Sequence, residues 1–380
     1  MAEQDPGGRF LPIIRPTLPP LDQVTDLIRA SWDSGIVTAG AAMRMFEDEV
    51  CRRTGARHAV ALASCTAGLM LVPRALGLKP GDEVIVPAFT FAATAQALLW
   101  NGLVPVFCDC LPGTRTLDPD DVERNLSART AAICPVYTYG LPPDIDALVD
   151  VARRWGIPVY FDSAQGLGAA YRGRAAGGFG ACEVFSLSPT KVVTAVEGGV
   201  VTTNDGDLAE RVRTMRDYGK DPRLGEDMVE LGLSARMGEF HAAVGLASIR
   251  NIEGLVKARL QRIAYYRERL AGLAGCTVQT FPDDRTTSGN YFVLFISERA
   301  RKTRDAVHHA LKDAGIQTKR YFYPLVNEQT IFTRFPVRVS VRLRESIAAS
   351  REGLALPLYS HMREDQLDAV CRAVAGLLDR

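Results

Sequence analysis

The chain has almost no excess of charge of either sign. Its 380 residues contain 45 Lys and Arg against 44 Asp and Glu, which leaves a formal net charge of +1. Proteins that bind nucleic acid or an anionic membrane usually show a basic surplus, so we expect neither partner. The sequence also lacks an apolar run long enough to span a bilayer, and its polar start, MAEQDPGGRF, has no signal-peptide core. These absences predict a cytoplasmic protein.

Paired cysteines are missing as well. The sequence has eight cysteines, but none of them forms a C-x-x-C pair, and no histidine cluster accompanies them at the spacing of zinc ligands. We therefore expect no metal site. Cys108, Cys134 and Cys182 lie inside apolar runs, where a reduced thiol behaves as a small hydrophobic side chain.

Short apolar runs alternate with longer amphipathic segments over about the first 250 residues. The runs are at 58–63, 83–86, 104–108, 131–136, 157–161, 182–187 and 199–203. The amphipathic segments between them include 66–77, 91–102, 144–155 and 206–217. Continuous apolar runs are typical of strands covered on both faces, and strands that alternate with helices form mainly parallel sheets. We therefore predict an α/β fold with a mainly parallel, doubly wound sheet.

The pattern changes near residue 250. A long charged segment at 248–274 has apolar positions at helical spacing. After it come a strand-like run at 290–296 and helical segments at 301–314 and 363–378. We predict a large α/β domain at residues 1–250, followed at 251–380 by a connecting helix and a smaller α+β domain, a division that the chain length permits.

Ligands of doubly wound sheets bind at the carboxyl ends of the strands. The first run is followed there by Ser64, Cys65 and Thr66 and then by a helical segment, whose free N–H groups can hold a phosphate. The alternative is that Ser64 or Thr66 only caps the helix. Phe91 follows the second run, where an aromatic ring either stacks on a planar heterocycle or belongs to the core.

Two charged residues follow later strands. Asp162 comes directly after the run 157–161, and a carboxylate at the end of a buried strand needs a partner. A protonated pyridine nitrogen would be such a partner. The alternative is a helix cap or a Ser or Arg partner. Lys191 follows the run 182–187 in a turn of small, polar residues, where desolvation lowers a lysine pKa and makes the amine nucleophilic. Taken alone, a lysine in such a turn is more often a solvated surface residue. The order of these features along one sheet favours a single site.

Ordered motifs extend over nearly the whole chain. They are GIVTAG at 35–40, SCTAG at 64–68, KPGDEVIVPAFTFAAT at 79–94, PVYTYG at 135–140, DSAQGLGA at 162–169, GGFG at 177–180, FSLSPTK at 185–191, EGGVVTT at 197–203, SARMGEFHAAVGL at 234–246 and ALPLY at 355–359. Through these motifs the chain resembles the DegT/DnrJ/EryC1/StrS family of sugar aminotransferases. The resemblance implies a fold-type I enzyme that uses pyridoxal 5'-phosphate (PLP) and forms a homodimer with shared active sites.

The resemblance also implies roles for individual residues. Lys191 would bind the cofactor covalently and then move protons between cofactor and substrate. Asp162 would pair with the pyridine nitrogen, Gln165 would hydrogen-bond the phenolic oxygen, and Phe91 would stack on the ring. The phosphate would lie at the turn formed by Ser64, Cys65 and Thr66, with Ser186 beside it.

Three positions depart from the family pattern. Ser234 stands where the family usually has an asparagine that reaches the phosphate from the second subunit, and the shorter serine puts that contact in question. Cys65 replaces a glycine, which is compatible with a phosphate contact through the backbone N–H. Tyr137 occupies a position at which many members have histidine.

The substrate is indicated by a block in the last third of the chain. KRYFYP at 319–324 resembles the block of family members that aminate carbon 4 of nucleotide-linked 4-keto-6-deoxysugars, with core packing as the alternative. On this resemblance, Arg320, Tyr321 and Tyr323 would contact the diphosphate or the nucleoside. The amino donor would be glutamate or glutamine.

Other functions stay open at this point. Aminotransferases that act on carbon 3 or on cyclitols belong to the same family. A few relatives are PLP-dependent sugar dehydratases, but they replace the lysine with histidine, and this chain has Lys191. A non-catalytic sensor with the same fold would not need the set of Lys191, Asp162 and Gln165.

Overall fold

The apolar runs of the N-terminal part form strands in the computed structural model of the chain, which describes residues 10–225 and 227–379. The strands are β1 (His58–Leu62), β2 (Glu83–Pro87), β3 (Val104–Cys108), β4 (Thr130–Ile133), β5 (Tyr160–Asp162), β6 (Ala170–Tyr171), β7 (Arg174–Ala175), β8 (Cys182–Ser186), β9 (Gly199–Thr203), β10 (Cys276–Val278), β11 (Arg285–Thr286), β12 (Phe292–Ile296), β13 (Arg338–Val339) and β14 (Gly353–Leu356). Residues 1–9, on which the expectation about a signal peptide rests, lie outside the described residues.

Each of the four amphipathic segments named between the apolar runs corresponds to a helix, and further helices lie outside them. The helices are α1 (Leu21–Ser34), α2 (Ala41–Thr54), α3 (Cys65–Ala75), α4 (Ala92–Trp100), α5 (Pro119–Asn125), α6 (Ile145–Trp155), α7 (Gly206–Met215), α8 (Glu239–Ile249), α9 (Ile252–Arg269), α10 (Arg304–Asp313), α11 (Arg344–Glu352) and α12 (Glu364–Leu378). The prediction of one helix over 248–274 was wrong in its bounds. The chain turns at 250–251 between α8 and α9, and α9 ends at Arg269, before Gly272 and Gly275, whose left-handed backbone cannot continue a helix.

The large sheet has two halves. The strand order is β1-β9-β8-β5 in one half and β4-β2-β3-β13 in the other. The parallel bridges Ile133–Val159 and Val136–Asp162 join the halves along β4 and β5. Strand β9 is antiparallel to both of its neighbours, and the other neighbouring strands of the two halves run parallel. The prediction of a mainly parallel sheet is confirmed.

Both faces of this sheet are covered by helices. On β2, Val84 and Val86 face the core formed with α3, α4 and α7, whereas Ile85 faces the core formed with α1, α2, α5, α6 and α8. Because both faces are buried, each strand is apolar throughout, which explains the continuous runs in the sequence. The sheet is doubly wound, as predicted.

The C-terminal part builds a second, smaller sheet of antiparallel strands in the order β10-β12-β14, against which α9, α10 and α12 pack. Several contacts join segments on the two sides of residue 250. Leu11 forms a bridge with Ile316, and β13 extends the large sheet by pairing with β3. The division of the chain into domains at residue 250 stays a prediction. Within the described ranges, no helix is long and apolar enough to cross a membrane.

A buried carboxylate ties three helices together. Glu239, the first residue of α8, accepts hydrogen bonds from the N–H groups of Gly40, Ala42 and Met43 at 2.8 to 3.1 Å, and from the hydroxyl of Ser31 at 3.2 Å. These N–H groups belong to the start of α2, where a negative charge is favourable. Glu239 therefore caps α2 and fixes α1 and α8 against it.

Replacing Glu239 with alanine should lower the free energy of unfolding by about 3 kcal/mol, because it leaves several buried donors unpaired. Urea titrations followed by circular dichroism would measure the loss. Glu210 is a matched control, since it is partly exposed and its ion pair with Arg213 lies on the surface of α7; Glu210→Ala should cost less than about 1 kcal/mol. Equal losses in the two variants would show that Glu239 is not a structural cap.

Candidate active site

The carboxyl ends of β1, β2, β5 and β8 open on one cavity of about 310 Å³. The cavity is lined by all the predicted cofactor residues except Ser234, that is, by Ser64, Cys65, Thr66, Phe91, Asp162, Gln165, Ser186 and Lys191. Tyr321, a predicted substrate residue, lines it as well. The residues that follow these different strands therefore meet at one point, as the sequence predicts.

The N-terminus of α3 forms one wall of the cavity. Ser64 is its N-cap, and its side chain accepts a hydrogen bond from the N–H of Ala67 at 3.1 Å. The first N–H groups of a helix have no partner inside the helix, so those of Cys65 and Thr66 are available to an anion. Ser186 ends β8 on the same cavity. The capping role of Ser64 and a phosphate site at this turn are thus compatible.

Gly199, the first residue of β9, lets this turn come close. A Cβ atom at Gly199 would lie 2.5 Å from the backbone carbon of Ser64 and against the backbone nitrogen of Cys65. Real Cβ atoms do not approach backbone so closely, so a side chain here would push the start of α3 away from the cavity.

Gly199→Ala should therefore weaken PLP binding by roughly a hundredfold, since a displacement of about 1 Å has effects of this size at functional sites. Titration of the cofactor-free protein with PLP, followed by absorbance, would measure the dissociation constant. Gly206→Ala is the control, because a Cβ there meets only His58, at an ordinary distance of 3.5 Å. If both variants bind PLP like the wild type, Gly199 does not position the turn.

Asp162 is buried, with 4% of its surface exposed. Its Oδ2 accepts a hydrogen bond from the hydroxyl of Thr94 at 2.6 Å, and its Oδ1 accepts one from the N–H of Ala164 at 3.1 Å. Burial raises the pKa of the carboxyl group, while these two donors and the charge of Lys191 oppose the rise. Both hydrogen-bond donors are neutral, so a cation placed in the cavity would complete the surroundings of this carboxylate.

Gln165 has an unsatisfied atom beside this carboxylate. Its Oε1 is buried and has no hydrogen-bond partner among the described residues, and its side chain lines the cavity. The two ends of an amide side chain are assigned by their partners, so a ligand oxygen or a ligand hydroxyl could each satisfy it. An unsatisfied amide in a cavity indicates a polar group on the ligand.

Lys191 is partly buried and faces the same space. Burial lowers the pKa of its amine, and the charge of Arg259 acts in the same direction. A lowered pKa increases the neutral, nucleophilic fraction of a lysine at a given pH. The alternative of a solvated surface lysine does not fit this position.

A second cavity of about 320 Å³ adjoins the first and shares Thr90, Phe91, Tyr321 and Phe322 with it. The other two predicted substrate residues, Arg320 and Tyr323, line this second cavity. The guanidinium of Arg320 lies over the ring of Tyr323, 5.2 Å from its centroid, and makes an ion pair of 3.3 Å with Asp305. Phe91 is 59% exposed at the boundary of the two cavities, so its ring is available for stacking.

The structure does not place Ser234 at either cavity of its own chain. Ser234 is exposed and forms a bridge with Asp217. Tyr137, another of the three departures from the family pattern, is buried. Its ring packs against Gly166 and edge-on against Phe161. The contact of Ser234 with the phosphate of a second subunit stays a prediction.

Sequence reasoning missed several residues of the site. Thr90, Thr190, Glu197 and Tyr291 line the cavity, and Thr94 contacts Asp162 behind it. Thr90 and Thr94 are four residues apart, on the two sides of the start of α4, and that spacing is visible in the sequence. Tyr291 gives no such signal, because it comes from the segment before β12, about a hundred residues after Lys191 along the chain.

The lining residues fit PLP. The buried carboxylate of Asp162 suits a ring nitrogen that is protonated, the unsatisfied amide of Gln165 suits a phenolic oxygen, and the start of α3 suits a phosphate. Lys191 provides the amine with which an aldehyde can react. The acceptor, the amide, the helix N-terminus and the amine are therefore the groups that the polar parts of this cofactor require.

Comparison with known proteins supports the same conclusion. The family model for the DegT/DnrJ/EryC1/StrS aminotransferases matches residues 22–375. A GDP-perosamine synthase from Caulobacter vibrioides is 33% identical over 94% of this chain and 95% of its own length. A pleiotropic regulatory protein from Geobacillus stearothermophilus is 32% identical over 88% of this chain and 89% of its own.

A solved structure is similar over nearly the whole length of both chains. The crystal structure of DesI in the presence of its TDP-sugar product superposes with a TM-score of 0.89 at 36% identity, over 99% of this chain and 95% of its own. With the family match, this similarity confirms the predictions of a fold-type I enzyme, of PLP as the cofactor and of aminotransferase activity. The chain belongs to the DegT/DnrJ/EryC1/StrS aminotransferase family.

Proposed function

We propose that this enzyme moves an amino group from glutamate or glutamine to a nucleotide-linked keto-deoxysugar, at carbon 4 of a 4-keto-6-deoxyhexose. The observation that supports this best is the pair of adjoining cavities. The inner one has Lys191, Asp162 and Gln165 on its wall, and the outer one has Arg320 and Tyr323. A sugar ring would lie at their junction, with its diphosphate toward the arginine.

The comparisons support the substrate class by analogy. Two of the similar proteins have a nucleotide-linked sugar as their product. It is GDP-perosamine for one and a TDP-sugar for the other. The block KRYFYP at 319–324 supports the choice of carbon 4 through its resemblance to members with that specificity. Both arguments concern the outer cavity, to which this block contributes all six residues.

PLP, when bound, supplies an electron sink for the substrate carbon at which a proton is removed or added. The chain supplies the groups that bind the cofactor and the group that moves the proton. The N-terminus of α3 and Ser186 would hold the phosphate, and Asp162 would hold the ring nitrogen. Lys191 then accepts and returns the proton at its Nζ atom, a role that its lowered pKa favours. Phe91 and Tyr321 stand at the mouth and limit the entry of water.

The test uses the absorbance of the bound cofactor and the mass of the product. Glutamate or glutamine alone should change the absorbance of the purified enzyme, and a keto-sugar nucleotide should restore it. A panel of dTDP-, UDP- and GDP-linked keto-sugars, with products characterised by mass spectrometry and NMR, would identify the sugar and the carbon aminated. Absence of any change with either donor would contradict the proposal, and a dehydrated product without nitrogen would support the dehydratase alternative instead.

We also propose that the enzyme is a homodimer with shared active sites. Large apolar side chains are exposed on the described surface, among them those of Trp32, Ile36, Leu224, Met228 and Leu231. Exposed apolar groups in such number are typical of surfaces that another chain covers. Ser234 is itself exposed at the end of the segment that contains three of them, which supports a contact with a neighbouring subunit rather than with its own cavity.

A dimer predicts a species of twice 41.4 kDa in sedimentation velocity at micromolar concentration. It also predicts that dilution to monomers reduces PLP affinity, because part of the phosphate site would be lost. Measurement of the sedimentation coefficient and of PLP binding over the same range of protein concentration would check both expectations. A monomer with undiminished affinity and activity would contradict them.

A further inference from the structure

Two threonine hydroxyls stand in a row behind Asp162. Thr94 Oγ1 lies 2.6 Å from Asp162 Oδ2, and Thr90 Oγ1 lies 2.9 Å from Thr94 Oγ1. Thr90 precedes α4, Phe91 between them is the extended N-cap, and Thr94 lies in the first turn, so the entry of the chain into the helix brings the two hydroxyls together. Both threonines are buried, with 1% of their surface exposed, and Thr90 also lines the two cavities.

Counting protons gives this row a direction. An ionised carboxylate has no proton to donate, so Thr94 must donate to Asp162. A hydroxyl has a single proton, and Thr94 can therefore only accept from Thr90. Thr90 in turn has used its proton and can only accept from whatever lies in the cavity. The row thus points its protons toward Asp162 and away from the ligand.

A directed row of donors offsets the cost of burying the carboxylate. Burial raises the pKa of Asp162, and the Thr94 hydroxyl is the strongest of the groups that lower it. Hydrogen bonds to an ionised acceptor are about twice as strong as neutral ones, and a second hydroxyl behind the first strengthens it further. The row also leaves the carboxylate only one orientation, because Oδ1 is held by Ala164.

We propose that Thr90 and Thr94 are positioning residues, whose directed hydrogen bonds keep Asp162 ionised and oriented toward the pyridine nitrogen of PLP. The inference rests on the role proposed for Asp162, and it adds the two residues that make that role possible. On this proposal the two threonines act through their hydroxyl protons, whereas a packing residue would act only through its shape.

The test is to bind PLP labelled with ¹⁵N in the ring and to compare variants at position 94. Thr94→Val keeps the shape but removes the hydroxyl. It should raise the dissociation constant of PLP about tenfold, the usual size for a hydrogen bond to a charged group. It should also move the ¹⁵N chemical shift toward that of an unprotonated ring. Thr94→Ser, which keeps the hydroxyl, should restore both values, and Thr94→Ala serves in place of the valine variant if that one folds poorly.

Position 90 tests the direction of the row. Thr90→Val should move the ¹⁵N shift in the same sense but less, since Thr94 still donates to Asp162. In a Thr94→Val background, Thr90→Val should cause no further change in the shift, because the link to the carboxylate is already broken. Equal effects of Thr90→Val in both backgrounds would overturn the directed row.

Asp162→Asn separates failure of this inference from failure of the role proposed for Asp162. If Asp162→Asn moves the ¹⁵N shift and Thr94→Val and Thr94→Ala do not, the threonines are packing residues and the inference is overturned, while Asp162 keeps its role. If Asp162→Asn leaves the shift of the bound ring unchanged, the carboxylate does not protonate the ring, and both proposals fall.

Discussion

Lys191→Ala should reduce the rate of amino transfer by about 10,000-fold, the upper end of what a positioned acid–base group contributes. The variant removes the amine that we propose to react with the cofactor and to move the proton, and the cavity offers no second lysine among its lining residues. Borohydride should fix PLP covalently to the wild-type chain and not to the variant. Rates with glutamate and mass spectrometry of the reduced protein would measure the two effects.

Two further variants make this expectation specific. Lys191→Arg keeps the positive charge but cannot provide a neutral amine, so it should be as inactive as the alanine variant. Lys79→Ala is the control, because Lys79 is exposed in the turn before β2, at the opposite end of that strand from the cavity. A small primary amine added to Lys191→Ala should recover part of the rate. More than a tenth of wild-type activity in Lys191→Ala would show that another group moves the proton.

The pH dependence follows from the same residue. Burial lowers the pKa of Lys191, so its neutral form appears at a lower pH than that of a surface lysine. If the neutral amine is required, activity should rise with pH at values below the ordinary lysine range and then level off. A rise that begins only near the pKa of a free lysine would contradict the influence of burial.

The architecture could be predicted from the sequence because its physical cause is local. A strand buried on both faces must be apolar at every position, as at Val84, Ile85 and Val86, and such runs separated by amphipathic helices have few alternative arrangements. The first and last residues of individual strands were less predictable. The run 157–161 becomes a strand only from Tyr160, since Pro158 has no N–H to donate and offers only its carbonyl to Ile133.

The site could be predicted as far as it depends on strand ends. Ser64, Phe91 and Lys191 each follow a strand of the large sheet and Asp162 ends one, and parallel strands bring their ends to one edge. Contacts that depend on packing between distant segments were not visible. Tyr291 reaches the cavity only because the smaller sheet packs where it does, and Thr94 looks like an ordinary helical residue until its hydroxyl is seen against Asp162.

Asp162→Asn should lower the rate of amino transfer without lowering the stability of the cofactor-free protein. The amide cannot stabilise a positive charge on the ring nitrogen, so amino transfer should fall by about 1,000-fold, as when a charge complement is removed from a transition state. Without cofactor, the same change should leave the protein at least as stable as the wild type at neutral pH. The reason is that burial raises the pKa of Asp162 above its value in the unfolded chain.

The sign of the stability effect follows from linkage. As pH rises above the ordinary pKa of aspartate, the unfolded chain releases this proton more readily than the folded one, so the wild type without cofactor loses stability. The asparagine side chain does not titrate in this range, so the variant does not lose stability in this way. Urea titrations of both proteins at pH 4 and pH 7, with and without PLP, would show it as a smaller pH dependence in the variant. PLP should reverse the order, because it stabilises the wild type more. A variant that is less stable without PLP would show that Asp162 is a structural residue, and one that keeps more than a tenth of the activity would show that amino transfer does not need this carboxylate.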